Sequence, residues 1–439
     1  MLVEFFKQPG LLIAEKFITY AVRKKNAQCL RFSPTTSFAL PPKTGNIPTG
    51  LYIHIPFCEE LCPYCSFNRV EFQEDLAKRY FRALRKEILM YKELGYDFKV
   101  LYVGGGTPTI LIEELESTIR LIRENYDVVE ISVETNPNHL TGTNLRILKN
   151  SGVNRLSVGV QTFNDGLLQG LKRYHKYGSG AEIADRLKNT QGIFHTLNVD
   201  LIFNFPTQTR ELLEKDLSII LDLGMDQVTY YPLMSSTQTL EAMSRELGGN
   251  IDFARGRRFY NIISETLSSR YRASTAWCFS RNDALIDEYA VHFDEYAGLG
   301  SGSIGHLGGT AYANTFDIES YIEHIDHGKL PITAKREFTL RERLSYDFLM
   351  KLFGLNLDIE LLNAKYGVNI LHRLWPEITF FRLINGLQKR GNKLLLTTRG
   401  RYYWFVMMRE FFIGVNNFRD YCKEQIVRSR EISSIIKML

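Results

Sequence analysis

The chain has no run of 18 or more apolar residues, the length a bilayer-crossing helix needs. It also lacks the basic start, short apolar stretch and small-residue cleavage site of an export signal, so a cytoplasmic location is expected. Neither sign of charge dominates. The 54 Lys and Arg stand against 49 Asp and Glu, a net charge of +5. That excess is too small to argue for nucleic acid as a partner. Cysteine is scarce, with six among 439 residues. Three of them are clustered, which is not the pattern of a disulfide framework and suits a reducing compartment. No repeat is visible beyond an alternation of strand and helix patterns. What is present is the composition of a soluble globular protein, long enough for two or three domains and a large core.

The stretch Leu51–Asn68, LYIHIPFCEELCPYCSFN, places Cys58, Cys62 and Cys65 in a C-x3-C-x2-C array directly after a short apolar alternating run. Thiolates are soft ligands, and closely spaced cysteines in one loop suit an iron–sulfur cluster. Three ligands on a four-iron cubane would leave one iron able to bind something else. The competing reading is a structural metal knuckle. A zinc site would want a fourth ligand, which Ser66 and Phe67 do not offer, and His54 lies on the preceding strand.

Strands are expected at Leu51–Ile55, Lys99–Val103, Val129–Glu134, Arg155–Val160, Thr196–Phe203 and Gln227–Tyr231. Helical patterns lie between them, over Leu76–Leu94, Ile112–Asn125, Leu145–Ser151, Ala181–Thr190 and Leu212–Leu223. Tyr80, Leu84, Ile88 and Tyr91, for example, recur at helix spacing. Six such units imply a parallel sheet with right-handed crossovers. Before them, Leu11–Val22 reads as an apolar helix followed by Arg23-Lys24-Lys25. Such a helix lies in a membrane interface, or packs on the domain with its cations at the C-terminal end of the dipole. Ser33 to Pro48 reads as a linker. Beyond the sheet come a helix at Phe253–Leu267 and a Gly-rich run from Gly298 to Gly309. A helix is expected over Phe380–Arg390 and a strand over Lys393–Thr398, which suggests a winged-helix-like appendage without a basic recognition face. The expected divisions are an N-terminal extension (1–50), a core (51–310) and an α-rich C-terminal domain (311–439).

Several strand ends carry polar chemistry. Gly104-Gly105-Gly106-Thr107-Pro108 is either a tight turn or a place where bare backbone approaches a ligand. Glu134 ends the third strand, where it forms a structural ion pair or accepts from ribose hydroxyls or an ammonium. Gln161 and Asp200 belong to the fourth and fifth strands. Arg173, in Leu171-Lys172-Arg173, is a solvated charge or a bidentate partner for a carboxylate.

Taken together, YIHIPFC-x3-C-x2-C and GGG-T-P resemble the radical S-adenosylmethionine (SAM) enzymes, in the branch of oxygen-independent coproporphyrinogen III dehydrogenase. The resemblance runs from about Leu51 to Leu307. It implies a partial (β/α)6 TIM barrel, a [4Fe–4S] cluster on Cys58, Cys62 and Cys65, and a reducing electron donor such as flavodoxin or ferredoxin. It also implies two SAM molecules. Tyr52, Gly105, Glu134 and Ile304 would contact the first, and Gly106, Thr107, Gln161, Arg173, Asp200 and Met234 the second.

The chain departs from that branch in two places. Phe67 stands where the dehydrogenases carry a further cysteine. Asn204 replaces the glycine of their fifth-strand motif, here Asp200-Leu201-Ile202-Phe203-Asn204-Phe205-Pro206. The heme chaperones of the superfamily carry a His-Asn-x-x-Tyr-Trp segment, for which this chain offers only His292 to Tyr296, HFDEY. The remaining resemblance is to class C radical SAM methyltransferases, which keep two SAMs and methylate an sp2 carbon. Tyr402–Cys422 is dense in aromatics and methionines, as either a packing helix or a lid over a flat apolar substrate. With the apolar Leu11–Val22, this makes menaquinone C8-methyltransferase the relative most similar in character. The expected substrate is then an apolar aromatic such as the menaquinone ring, with peripheral contact on the inner face of the cell membrane. The alternatives are coproporphyrinogen III dehydrogenation and heme chaperoning.

Overall fold

The computed structural model describes residues 9–35, 39–41, 49–281 and 293–438. Six parallel strands form its centre: β1 (Thr49–Ile55), β2 (Phe98–Gly105), β3 (Glu130–Thr135), β4 (Arg155–Gln161), β5 (Thr196–Phe203) and β6 (Gln227–Pro232). They pair in chain order, each parallel to the next. Helices α2 (Glu74–Glu93), α3 (Ile112–Asn125), α4 (Gly142–Asn150), α5 (Gly180–Thr190) and α6 (Arg210–Leu223) return the chain between them. The inward stripe of α2 is Tyr80, Leu84, Ile88 and Tyr91, all buried. The strands read as near-continuous buried runs, as they must when helices cover one face and a filled interior the other.

The sheet stays open. Beyond β6 it is extended by β7 (Cys278–Ser280), antiparallel to it. At the other edge β8 (Glu295–Leu299) lies parallel to β1. It is followed by the antiparallel strands β9 (Ile304–Leu307), β10 (Thr310–Asn314) and β11 (Ile332–Glu337). The Gly298–Gly309 run is therefore two strands and their turns. The result is a partial barrel with a mixed edge, whose strand ends face one side as in other α/β barrels.

The N-terminal helix α1 runs from Pro9 to Cys29, past the Arg23-Lys24-Lys25 cluster, so these cations do not end it. After α7 (Phe253–Leu267), the C-terminal region holds α8 (Leu340–Phe353), α9 (Trp375–Leu383) and a small sheet. That sheet comprises β12 (Asn356–Asp358), β13 (Leu387–Arg390) and β14 (Lys393–Leu396), in the order β12-β14-β13. The helix expected over Phe380–Arg390 stops at Leu383. Asn385 takes φ +55° and Gly386 follows, so the chain turns and enters β13. Asn-Gly is a turn signal that outweighs the apolar pattern around it. The last helix, α10 (Thr398–Met438), is buried on every side from Tyr402 to Glu410. It packs on α1, where a Cβ at Gly414 would stand 2.5 Å from the Asn26 side chain.

Candidate active site

The cysteine loop begins where β1 ends. Phe57–Cys58 pairs with Val70–Glu71, so the loop leaves and returns at one point. Arg69 fills it from within. Its Nη2 donates to the carbonyls of Cys62 (2.6 Å) and Cys65 (2.9 Å). Outside the loop, Glu59 accepts from Asn138 (2.7 Å), His139 (3.2 Å) and Lys176 (2.9 Å). Burial pushes the Glu59 carboxyl up, but these bonds prevail and hold it at about 2. His54 sits beneath. Its Nε2 donates to the Asn68 carbonyl (2.7 Å), so Nδ1 accepts from the Tyr52 hydroxyl (2.8 Å). Burial lowers its pKa to about 4, which keeps this neutral tautomer.

Cys58 and Cys62 are buried and Cys65 is half-buried. Burial, then the neighbouring Cys65, pushes the Cys58 thiol up to about 12, so a bound cation is what makes it a thiolate near neutral pH. Among the described residues no three His, Cys, Asp or Glu side chains converge as a single-ion site. A cubane spreads its thiolates over separate irons and does not ask for that convergence. Gly106 closes the floor: a Cβ there would lie 2.6 Å from the Phe57 carbonyl and 2.9 Å from the Cys58 sulfur.

Around this loop opens a cavity of 820 Å³. Tyr52, Gly105, Gly106, Glu134, Gln161, Arg173, Asp200, Met234 and Ile304 all line it with the three cysteines. Thr107 does not. It is buried just behind, accepting from Asn136 Nδ2 at 2.9 Å. Glu134 accepts from the Tyr102 hydroxyl (2.8 Å) and the Gly105 amide (3.1 Å). Asp200 accepts from Ser157 (2.6 Å) and Asn198 (2.8 Å). Gln161 takes φ +73° at a bulge between β4 and β5. Such a bend re-aims the side chain at the strand end.

Arg173 is only 3% exposed, so the solvated reading of this residue is set aside. Its Nη2 donates to the Gly159 carbonyl (2.6 Å) and Asn136 Oδ1 (2.9 Å), and Nη1 to the Cys62 sulfur (3.4 Å). Its Nε has no protein partner. The guanidinium lies 4.1 Å from the Tyr177 ring centre.

Away from the cysteines the cavity wall is mostly apolar, with Lys25, Glu342 and Glu377 set among the apolar side chains. It is built from Phe17, Ile18 and Val22 of α1, Leu349 of α8, Phe380 of α9 and Phe411 of α10. The Tyr402–Cys422 segment therefore packs on the barrel, as one of the two expectations had it, and also contributes part of the cavity wall. His306 lines the same wall. It is buried, with Nε2 unpartnered, and burial lowers its pKa to about 4. Sequence reasoning passed over His306, Arg69 and Asn136. An arginine four residues after the last cysteine, where it reaches the turn's carbonyls, was the available signal for Arg69. His292 lies outside the described residues. Asp294, within the same HFDEY segment, pairs with Lys351 and Lys365.

The pattern of the radical SAM superfamily matches residues 52–220. The heme chaperone HemW of Bacillus subtilis is 31% identical over 316 residues, spanning 69% of this chain and 82% of that protein. The chain belongs to the radical SAM superfamily. Its relatives are of the coproporphyrinogen-oxidase-like kind. The oxygen-independent coproporphyrinogen III oxidase of Cereibacter sphaeroides is 29% identical, over 76% of this chain and 78% of that one. The structure of Escherichia coli coproporphyrinogen III oxidase (HemN) superposes with a TM-score of 0.70 at 23% identity, covering 87% of this chain and 95% of that one. The fold expected from the motifs is thus shared along nearly the whole molecule.

Radical SAM proteins use a [4Fe–4S] cluster and SAM and need an external reductant. The residues here fit both groups: three thiols from one braced loop, a floor cleared by Gly106, and a polar rim at the strand ends. One departure from the coproporphyrinogen branch loses its weight. Asn204 takes φ +72°, the left-handed region that glycine and asparagine enter with least strain. Its Oδ1 accepts from Arg255 (3.0 Å) and its Nδ2 donates to the Asp252 carbonyl (3.1 Å). The replacement keeps the backbone the glycine would have. Phe67 is different. Its ring lines the cavity 4.5 Å from the Arg419 guanidinium, so the missing cysteine alters the wall itself.

Proposed function

We propose that this radical SAM protein binds two SAM molecules in the one cavity and transfers a methyl group to an sp2 carbon of a flat, largely apolar ring, of which the menaquinone naphthoquinone is the leading candidate. The observation that carries this reading is the cavity. Its inner end is polar, and its outer part is walled by aromatic and aliphatic side chains of four helices. At 820 Å³ it stands in the upper part of the range for ligand pockets, about 300–1,000 Å³. When bound, the cluster supplies the electron for reductive cleavage of SAM, and SAM supplies both the radical and the methyl carbon.

The chain's own residues then divide the work. Cys58, Cys62 and Cys65 hold the cluster, with Arg69 fixing the loop. Tyr52, Gly105, Glu134 and Ile304 surround the first SAM, where the Glu134 carboxylate, oriented by Tyr102, accepts from its polar groups. Gly106, Gln161, Arg173, Asp200 and Met234 surround the second, Arg173 taking its carboxylate, while Thr107, expected to join them, stays behind the wall and holds Asn136. The apolar wall excludes water from a radical that would otherwise be quenched.

A second reading is favoured by the relatives described above, which are named as a heme chaperone and a coproporphyrinogen III oxidase. It is oxidative decarboxylation of coproporphyrinogen III. Asn204 no longer counts against it. The lining does, because a tetracarboxylate wants several free cations. Arg69 is committed to the cysteine loop, and the cations Lys25 and Arg419 share the wall with the acidic Glu60, Glu342 and Glu377. The test is anaerobic turnover of the reconstituted, reduced protein with each substrate, read by mass. Methylated quinone with S-adenosylhomocysteine supports the proposal. Carbon dioxide loss from the porphyrinogen without S-adenosylhomocysteine overturns it in favour of the second reading.

A further inference from the structure

Helix α1 has two faces. The inner one, with Ala14 and Ile18 buried and Val22 and Cys29 partly so, packs on the C-terminal region and lines the cavity. Two ion pairs among the described residues also hold it to the body of the protein. Glu15 meets Arg257 and Arg23 meets Glu410. The opposite face should then be polar, as on any helix that covers a core. It is not. Ile13, Phe17 and Tyr20 are 69%, 55% and 64% exposed. Their spacing of four and three residues puts them on one stripe.

Lys16 and Lys24 flank that stripe, both exposed, and neither enters an ion pair among the described residues. No acidic residue shares this face, since Glu15, the acidic residue of described α1, turns inward to Arg257. The stripe also borders the cavity wall. Phe17 is at once exposed and part of the cavity wall, and its ring centre stands 5.2 Å from that of Phe380 on α9. One turn further along α9, Leu383 is 78% exposed, beside the exposed Arg382. An apolar stripe edged by unpaired cations matches the interface of an anionic bilayer, where apolar side chains enter the acyl boundary and lysines meet headgroups.

We propose that the outer face of α1, together with Leu383 and Arg382 of α9, docks on an anionic lipid bilayer, with the part of the cavity wall formed by Phe17 and Phe380 on the membrane side. The docking goes beyond the methyl-transfer reading and does not depend on which reaction the site performs.

The test uses the full chain with its cluster, and binding alone is read. The protein is floated with vesicles of phosphatidylcholine containing phosphatidylglycerol, and with phosphatidylcholine alone. Binding is expected to the anionic vesicles and to weaken with salt. Lys16→Glu with Lys24→Glu lowers partitioning by at least about 20-fold. Ile13→Ser with Tyr20→Ser lowers it by about tenfold or more, with circular dichroism and cluster absorbance unchanged. Neither pair lines the cavity. Absence of flotation, equal partitioning of the variants and the parent, or a stable dimer broken by Ile13→Ser with Tyr20→Ser would each overturn the proposal.

Discussion

Arg173 shows how far a single side chain is legible. Its motif marked it as a ligand for a zwitterion, yet nothing in Leu171-Lys172-Arg173 says that the guanidinium is buried against Cys62 and Tyr177. That follows from where the β4 crossover brings the chain. Arg173→Ala should retain the iron–sulfur absorbance and reduce bound SAM from two per chain to one, by equilibrium dialysis. Arg173→Lys should recover only part, because an ammonium lacks the planar fork. Two SAMs bound in the alanine variant would remove the role. Glu87, which no motif marked, is a residue of the fold. It is buried and accepts from Tyr321 (2.6 Å), Gly300 (2.9 Å) and Asn314 (3.1 Å), tying α2 to the turn before β9. Burial raises its pKa from 4.5 to about 7 against those bonds. The folded chain therefore keeps a proton that the unfolded chain releases, and stability falls as pH rises from about 4.5 to about 7. Glu87→Gln should flatten that slope, on the order of 3 kcal/mol, in urea unfolding across this window. An unchanged slope would contradict the assignment.

The repeating elements were read well because their signal is periodic. Thr196–Phe203, Ile112–Asn125 and Phe253–Leu267 lie where the pattern puts them, since both strand and helix must hide an apolar face. The joints between elements were not legible. Glu410 is fully buried in α10, taking Arg409 on one oxygen (2.9 Å) and Arg23 of α1 on the other (2.6 Å). Such a pair links residues nearly four hundred positions apart, and only the folded chain reveals it. Glu410→Gln strips the buried Arg409 of its counter-charge and should cost about 3 kcal/mol or more. Arg23, whose side chain is 58% exposed, should cost no more than about 1 kcal/mol as Arg23→Ala. Chemical denaturation of both variants checks the ranking, and equal losses would mean that the α1–α10 joint does not rest on Glu410.

Across the whole molecule, the cysteine loop, the six parallel strands and four helices converge on one cavity. The cysteine array and GGG-T-P made its polar end legible, because cluster and cosubstrate chemistry restrict the residues that work there. The apolar end was not legible, because Phe17, Phe380 and Phe411 are ordinary core-forming residues until α1, α9 and α10 are seen around one space. In Cys58→Ala the protein should lose the cluster absorbance and all SAM cleavage, and survival of either would unseat the inner end of the account. The central claim, that one SAM is attacked through another, is met most directly by a label. With SAM carrying a CD3 methyl group, reduced protein and the quinone, the 5′-deoxyadenosine formed should contain one deuterium and the new ring methyl two. Unlabelled 5′-deoxyadenosine would show that hydrogen is taken from the substrate instead, and would contradict the two-SAM methyl transfer.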